Sequence, residues 1–159
     1  MRAMIKICVF SDSHGSSGPM IAAIKREKPD LCFFLGDGER DLAAAQARFP
    51  KLPFYAVRGN CDWRSDQSES LVCTVGGVCI FAAHGHTYDV KYEPALDSLS
   101  DAAAKAGASV ALYGHTHQPF CAEREGILFV NPGSVGRGSH PGYAVLTVEN
   151  GVCSARLVR

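Results

Sequence analysis

Apolar residues in this chain gather into short runs, nearly unbroken apart from Lys6 and Ser109, and each run ends in a brief polar loop. Residues 5–10, 31–35, 54–57, 78–83, 109–113 and 127–130 are such runs. Their shortness and the turn residues that bound them predict strands buried on both faces. Helix-forming stretches at 19–27 and 39–49 separate the first three, with Pro29 and Pro50 following as stops. A third helix is predicted over 93–106, with Gly107 as its terminator. Strand–helix–strand–helix–strand at the start implies parallel pairing with crossover helices. The later half reads as hairpins, 71–75 with 78–83 around Gly76-Gly77, and 143–148 with 152–157 around Asn150-Gly151. The expected fold class is α/β, an α+β mixture of parallel and antiparallel strands, in one domain spanning 1–159.

The loops hold the unusual residues. Ser11-Asp12-Ser13-His14, Gly36-Asp37-Gly38, Arg58-Gly59-Asn60-Cys61-Asp62, His84-Gly85-His86, Gly114-His115-Thr116-His117 and Asn131-Pro132-Gly133-Ser134 each follow an apolar run. Sites in open α/β sheets form beyond the carboxyl ends of strands, so six such loops are expected to converge on one rim. The loops contain five of the six histidines. Asp12/His14, His84/His86 and His115/His117 are each separated by one residue, and in extended backbone both members of a pair face the same side. Any single pair is readily explained as surface or hydrogen-bonded residues, and a lone Gly-Asp or Asn-Pro-Gly-Ser as a turn. Two acids, an asparagine and at least four histidines at separate strand ends instead point to a metal site.

Imidazole mixed with carboxylate and amide oxygen suits Mn(II), Fe, Zn(II), Co(II) or Ni(II). Cysteines are nearly absent from the loops, which argues against a structural thiolate zinc site. Seven ligands are too many for one ion and right for two, and Asp37, alone in its tight loop, is the natural bridge.

Composition narrows the partners. Sixteen basic and sixteen acidic residues cancel without long runs, which disfavours a nucleic-acid duplex. Seven cysteines form no paired framework, so a reducing compartment and a cytoplasmic location are expected. The longest clean apolar run, 78–83, is far short of the roughly 20 residues of a membrane span.

The ordered set Asp12-Ser13-His14, Gly36-Asp37, Gly59-Asn60-Cys61-Asp62, His84 and Gly114-His115-Thr116-His117 resembles the calcineurin-like metallophosphoesterases. The short chain and the Asn131-Pro132-Gly133-Ser134 loop are similar to the small prokaryotic phosphodiesterase branch. The resemblance implies a four-layer sandwich of two mixed β-sheets flanked by helices. It implies one metal held by Asp12, His14, Asp37 and His117, and another held by Asp37, Asn60, His84 and His115, with Mn(II) the favoured ion. It also implies a small phosphate-ester substrate, hydrolysed by in-line attack of a metal-bridging hydroxide. A diester is favoured, with a phosphomonoester as the alternative.

Many relatives have histidine where this chain has Cys61, with the following acid orienting it. Asp62 is retained here, and His86 becomes the candidate general acid. Arg58, Arg64 and Arg137 lie near the same loops, and Arg58 is chosen as the phosphate contact. A rival class is a metal-binding scaffold that recruits a protein partner, as a related fold does in membrane-trafficking coats. Relatives are often dimers or larger, and the hairpin edges here offer a homo-oligomer contact.

Overall fold

The computed structural model describes residues 4–138 and 141–159. In chain order the elements are β1 (Ile5–Phe10), α1 (Gly18–Glu27), β2 (Leu31–Phe34), α2 (Glu39–Arg48), β3 (Phe54–Ala56), β4 (Ser70–Val75) and β5 (Val78–Ala83). There follow α3 (Asp97–Lys105), β6 (Val110–Leu112), β7 (Phe120–Arg124), β8 (Ile127–Asn131), β9 (Tyr143–Glu149) and β10 (Val152–Val158). A short 3₁₀ turn, His86–Tyr88, follows β5.

β1 is apolar at every position but Lys6 and needs cover on both faces, because successive side chains point opposite ways. In β1, Ile7 and Val9 enter one core while Cys8 and Phe10 enter another. The first core lies between two sheets, where Ile7, Val9 and Phe33 meet Ile80, Ala82, Leu112 and Val130. The second joins the outer face of the first sheet to α1 and α2 through Phe10, Met20, Ile24, Phe34 and Leu42. A third joins the second sheet to α3 through Phe81, Leu99, Ala103 and Phe129. The layers therefore run helix, sheet, sheet, helix, as expected. Full burial of each large apolar side chain contributes about 1.5–3 kcal/mol, so Phe33 and Phe129 in neighbouring cores are substantial anchors.

Strand order is β10-β9-β1-β2-β3 in the first sheet and β4-β5-β6-β8-β7 in the second. β1, β2 and β3 are parallel, as are β5, β6 and β8. The antiparallel partners β9, β10, β4 and β7 complete the edges. All six polar loops leave the carboxyl ends of these six parallel strands.

Two expectations need correction. The third helix starts at Asp97, not residue 93. Pro94 lies in the stretch before it, Leu96 takes a left-handed backbone, and the Glu93 carboxylate instead accepts the Ser98 N–H and Oγ–H. A third hairpin, β7 with β8 across Glu125-Gly126, was not expected. Both of its turn residues have positive φ, as a tight type I′ connection requires. β7 sits at a sheet edge with much of its length exposed, so it lacks the apolar run that would signal it. Among the described residues, no helix is long and apolar enough to cross a membrane.

Candidate metal centre

Each loop is fastened to its neighbours before any side chain converges. The Asp12 N–H donates to Gly36 O at 2.9 Å and the His14 N–H to Asp37 O at 3.0 Å, locking the loops after β1 and β2 together. The Gly114 N–H donates to His84 O at 2.8 Å, and the Val135 N–H to Ser11 O at 3.0 Å. The second sheet's loops are thereby tied to one another and to the first's.

The backbone at the centre is unusual. Ten described non-glycine residues have positive φ, and five of them are Asp12, His14, Asp37, His115 and His117. The paired residues therefore do not share a face by extended backbone, as the sequence reading supposed. Left-handed turns aim them instead, at roughly 1–2 kcal/mol per residue. The His115/His117 pair is split by this geometry, one imidazole meeting His84 and the other Asp12. Two glycines allow the approach. A Cβ on Gly59 would collide with the Asp37 carboxylate, and one on Gly114 with Ser11 Oγ.

Seven of the predicted site residues can be placed by their contacts. Asp12, His14 and His117 have donor atoms within 4.8 Å of one another, and so do Asp37, His84 and His115. His117 Nε2 lies 3.1 Å from Asp12 Oδ1 and 3.3 Å from His14 Nε2. His84 Nε2 lies 3.2 Å from Asp37 Oδ2 and 3.1 Å from His115 Nδ1. Asp37 Oδ2 is also 3.7 Å from His14 Nε2, and Asp12 Oδ1 is 3.8 Å from His84 Nε2, so the two triads are contiguous. Asn60, the seventh, is exposed on the loop between Gly59 and Cys61, with Nδ2 3.7 Å from Cys61 Sγ.

Each carboxylate has one oxygen held and one turned to the imidazoles. Asp12 Oδ2 accepts Ser11 Oγ–H at 2.5 Å and His115 N–H at 3.1 Å, while Asp37 Oδ1 accepts Cys61 N–H at 2.8 Å. His84 Nδ1 sits 2.7 Å from Leu35 O, which accepts its proton and leaves the Nε2 lone pair facing the cluster when the ring is neutral.

This donor set fits divalent ions. Ligand atoms about 2.1 Å from one ion stand about 3.0–3.4 Å apart at octahedral or tetrahedral angles. The four spacings of 3.1–3.3 Å within the triads are of that size, and Asp12 Oδ1 to His14 Nε2 at 3.5 Å is close to it. Electrostatics agree. Burial opposes ionisation of Asp12 and Asp37, yet the nearby imidazoles outweigh it and hold both carboxyls below their usual range. Burial likewise opposes charge on His84, but Asp37 and Asp12 push it up. His115 is pushed down to about 4, by burial first and then by His84 and Lys91.

The other predicted residues sit differently. Asp62 accepts four backbone N–H groups, from Asp37 and Gly59 at 2.8 Å, Gly38 at 3.0 Å and Glu39 at 3.2 Å. It caps the N-terminus of α2 and joins two loops. His86 is half-buried, with its ring centroid 5.5 Å from that of His84 and a buried Nδ1 that has no hydrogen-bond partner. Burial and the adjacent His84 push His86 down, leaving it neutral near pH 7. Arg58 Nη2 pairs with Glu69 Oε1 at 2.8 Å. Cys61 Sγ falls within 4.8 Å of donor atoms of both His14 and Asp37, a proximity the sequence reading missed. Burial and then Asp37 raise this thiol, so it stays neutral.

The supporting roles of three other residues were also missed. Buried Asn131 donates from Nδ2 to Gly114 O at 3.3 Å and to Thr116 Oγ1 at 3.0 Å, shaping the loop that bears His115 and His117. Ser134 Oγ–H donates to Asp12 O at 2.7 Å. Buried Asp41 Oδ2 accepts Ser13 Oγ–H at 2.5 Å and Gly15 N–H at 2.9 Å. The signal for the first two was present, because Asn131 to Ser134 follow a strand end exactly as the ligand-bearing loops do.

Comparison with known proteins agrees with this geometry. Residues 5–151 match the model of the calcineurin-like phosphoesterase superfamily domain. The probable metallophosphoesterase YsnB of Bacillus subtilis is 31% identical over 156 residues, covering 96% of this chain and 89% of that protein. Phosphodiesterase YfcE of Escherichia coli K12 is 34% identical over 110 residues, 62% of this chain and 54% of that protein. A solved structure of a predicted phosphoesterase from Streptococcus pneumoniae superposes with a TM-score of 0.83 at 31% identity, covering 98% of this chain and 90% of that one. The chain belongs to the calcineurin-like phosphoesterase superfamily.

Proposed function

We propose that this chain is a two-metal phosphodiesterase, with one ion held by Asp12, His14, Asp37 and His117 and the other by Asp37, Asn60, His84 and His115. The observation that carries the reading is the position of Asp37 Oδ2, 3.7 Å from His14 Nε2 in one triad and 3.2 Å from His84 Nε2 in the other. Imidazole nitrogen with carboxylate or amide oxygen suits Mn(II), Zn(II), Fe, Ni(II) and Co(II) alike, and Mn(II) is the ion we favour among them. Bound there, divalent ions supply an acidified water nucleophile and neutralise charge on the phosphoryl oxygens.

The chain's own residues do the rest. Ser11 and the His115 N–H hold one Asp12 oxygen, and the Cys61 N–H holds one Asp37 oxygen, so each carboxylate keeps its free oxygen aimed inward. Leu35 O fixes the His84 tautomer. Asp62 acts as a positioning residue, since four backbone donors occupy its carboxylate. His86, neutral, suits a hydrogen bond to substrate better than delivery of a charged proton. Arg58 meets a phosphate only by exchanging Glu69 for it.

A diester is favoured because Cys61 places an uncharged thiol where a histidine would offset the second charge of a monoester. The relative named phosphodiesterase YfcE supports the same choice. The test is elemental analysis of the purified protein, followed by assays of aryl phosphodiesters and monoesters side by side with Mn(II). The expected result is two equivalents of metal and faster diester turnover. A strong monoester preference overturns the substrate assignment. Metal-loaded protein inert towards every phosphoester overturns the catalytic reading in favour of a scaffold that recruits a protein partner.

A further inference from the structure

A cleft of about 300 Å³ opens beside the proposed metal centre. His14, Asp37 and Cys61 line it on the metal side, and Trp63, Arg64 and Arg40 line it elsewhere. Trp63 is 86% exposed, although tryptophan normally buries most of its large ring surface. Glu69, Ser68 and the Asp62 contacts hold the loop that carries it: Arg58 pairs with Glu69, the Arg58 N–H donates to Ser68 O at 3.0 Å, and the Ser65 N–H donates to Asp62 O at 3.2 Å. The indole is thus exposed on a fastened loop.

The charges around the cleft do not favour a second anionic group. Arg40 and Arg64 are offset by Glu39, which accepts Ser65 Oγ–H at 3.0 Å, and by buried Asp41. What distinguishes the cleft is an exposed indole in a lining that also includes two arginines. Its volume lies at the small end of the range for ligand sites, about 300–1,000 Å³, enough for one planar ring system and not for a large molecule. His14 and Asp37 belong both to the proposed metal centre and to the lining of this cleft, so a phosphate held at that centre would direct one ester substituent towards it. A second cleft of about 510 Å³, lined by His117, Arg137 and Arg159, leaves room for the other substituent.

We propose that Trp63 is a specificity-determining residue that stacks on an aryl or nucleobase arm of the phosphodiester. Stacking on an exposed aromatic side chain tolerates different bases, because every base has a π-face. This inference rests on the diesterase reading above.

Trp63 is the chain's one tryptophan, so its emission reports directly on the cleft. The Mn(II)-loaded protein is titrated with adenosine monophosphate, ribose 5-phosphate and inorganic phosphate. Saturable quenching by the nucleotide alone is expected. In parallel, Trp63→Ala should raise KM for an aryl diester about tenfold with kcat within about twofold, leave KM for a dialkyl diester unchanged, and be largely rescued by Trp63→Phe. Flat emission with the nucleotide, or an unchanged aryl KM, overturns the proposal while leaving diester hydrolysis intact. Absence of any diester turnover defeats the functional reading instead, and the emission titration then decides the stacking site alone.

Discussion

Asp12 Oδ1 and His117 Nε2 stand 3.1 Å apart although 105 positions separate them, joining the loop after β1 to the loop after β6. This contact lies in one donor triad, while Asp37 reaches imidazoles of both. The two positions should therefore fail differently. His117→Ala is expected to lower metal content from two equivalents towards one. Asp37→Asn is expected to lose both ions and reduce kcat by at least about 10³-fold, because it removes a charge shared by the whole cluster. Elemental analysis with turnover on an aryl diester checks both. Two retained equivalents in Asp37→Asn would refute the bridging assignment.

Protons and metal ions compete for the same nitrogens. In the metal-free protein His84 is raised by Asp37 and Asp12 despite its burial, so it holds a proton to higher pH than an ordinary histidine. His115, pushed down to about 4, is already neutral there. Ligation needs neutral imidazole, so metal binding at about pH 6, below the ordinary histidine value that His84 exceeds, should release the His84 proton. Affinity should then weaken as pH falls, by about tenfold per pH unit for each proton released, until acidification below about pH 4 also charges His115. Calorimetry in two buffers with different ionisation heats measures the release directly. Identical heats in both buffers would contradict the coupling.

Asp62 separates positioning from chemistry. Asparagine in its place keeps the shape but offers N–H groups where backbone N–H groups need an acceptor. Hydrogen bonds to charged acceptors contribute about 1.5–3 kcal/mol each, and some are retained, so Asp62→Asn should cost about 3 kcal/mol of stability. Metal affinity should fall with it, because Asp37 loses its backbone anchor, and the shape of the pH–rate profile should not change. Urea unfolding and that profile test the point. Unchanged stability with a large rate loss would return Asp62 to a chemical role.

The sequence displayed the rim better than its wiring. Strands apolar throughout, such as 78–83, or apolar but for one residue, such as 5–10 with Lys6, announced sheets covered on both faces, and the polar loops at their ends marked the candidate site. The edge strand β7 did not register, because Phe120 to Arg124 mix apolar with charged residues and remain largely exposed. His115 and His117 were legible as a pair, but not their division between two partners, since that depends on left-handed backbone at both. Asn131 stood in a loop the sequence marked, although its hydrogen bonds were not legible there, and Asp41 escaped notice for a related reason. A buried polar residue that holds a loop by its backbone carries no local pattern beyond its own identity.

A stability determinant lies away from the candidate metal centre, where α1 ends. The Glu27 side chain is 8% exposed and meets Arg156 Nη2 and Lys6 Nζ at 2.9 Å, while Tyr143 Oη–H donates to it at 2.6 Å. These contacts pin the last residue of α1 to β1, β9 and the edge strand β10. Burial works against the charge, yet the Tyr143, Lys6 and Arg156 contacts outweigh it and hold the carboxyl down to about 2, from an ordinary value of 4.5. The folded value is the lower one, so the stabilisation is complete above about pH 5 and is lost as pH falls through about 2. Its size is about 2 kcal/mol once partial solvation of the surrounding cations is allowed for. Urea unfolding in chelator, which keeps the metal centre from adding its own pH dependence, should show Glu27→Gln less stable than the parent by that amount at pH 7. The gap should narrow clearly at pH 3, where the unfolded chain is protonated at this position and the folded chain is not. An equal gap at both values would mean that Glu27 acts through packing alone and that its charge contributes nothing.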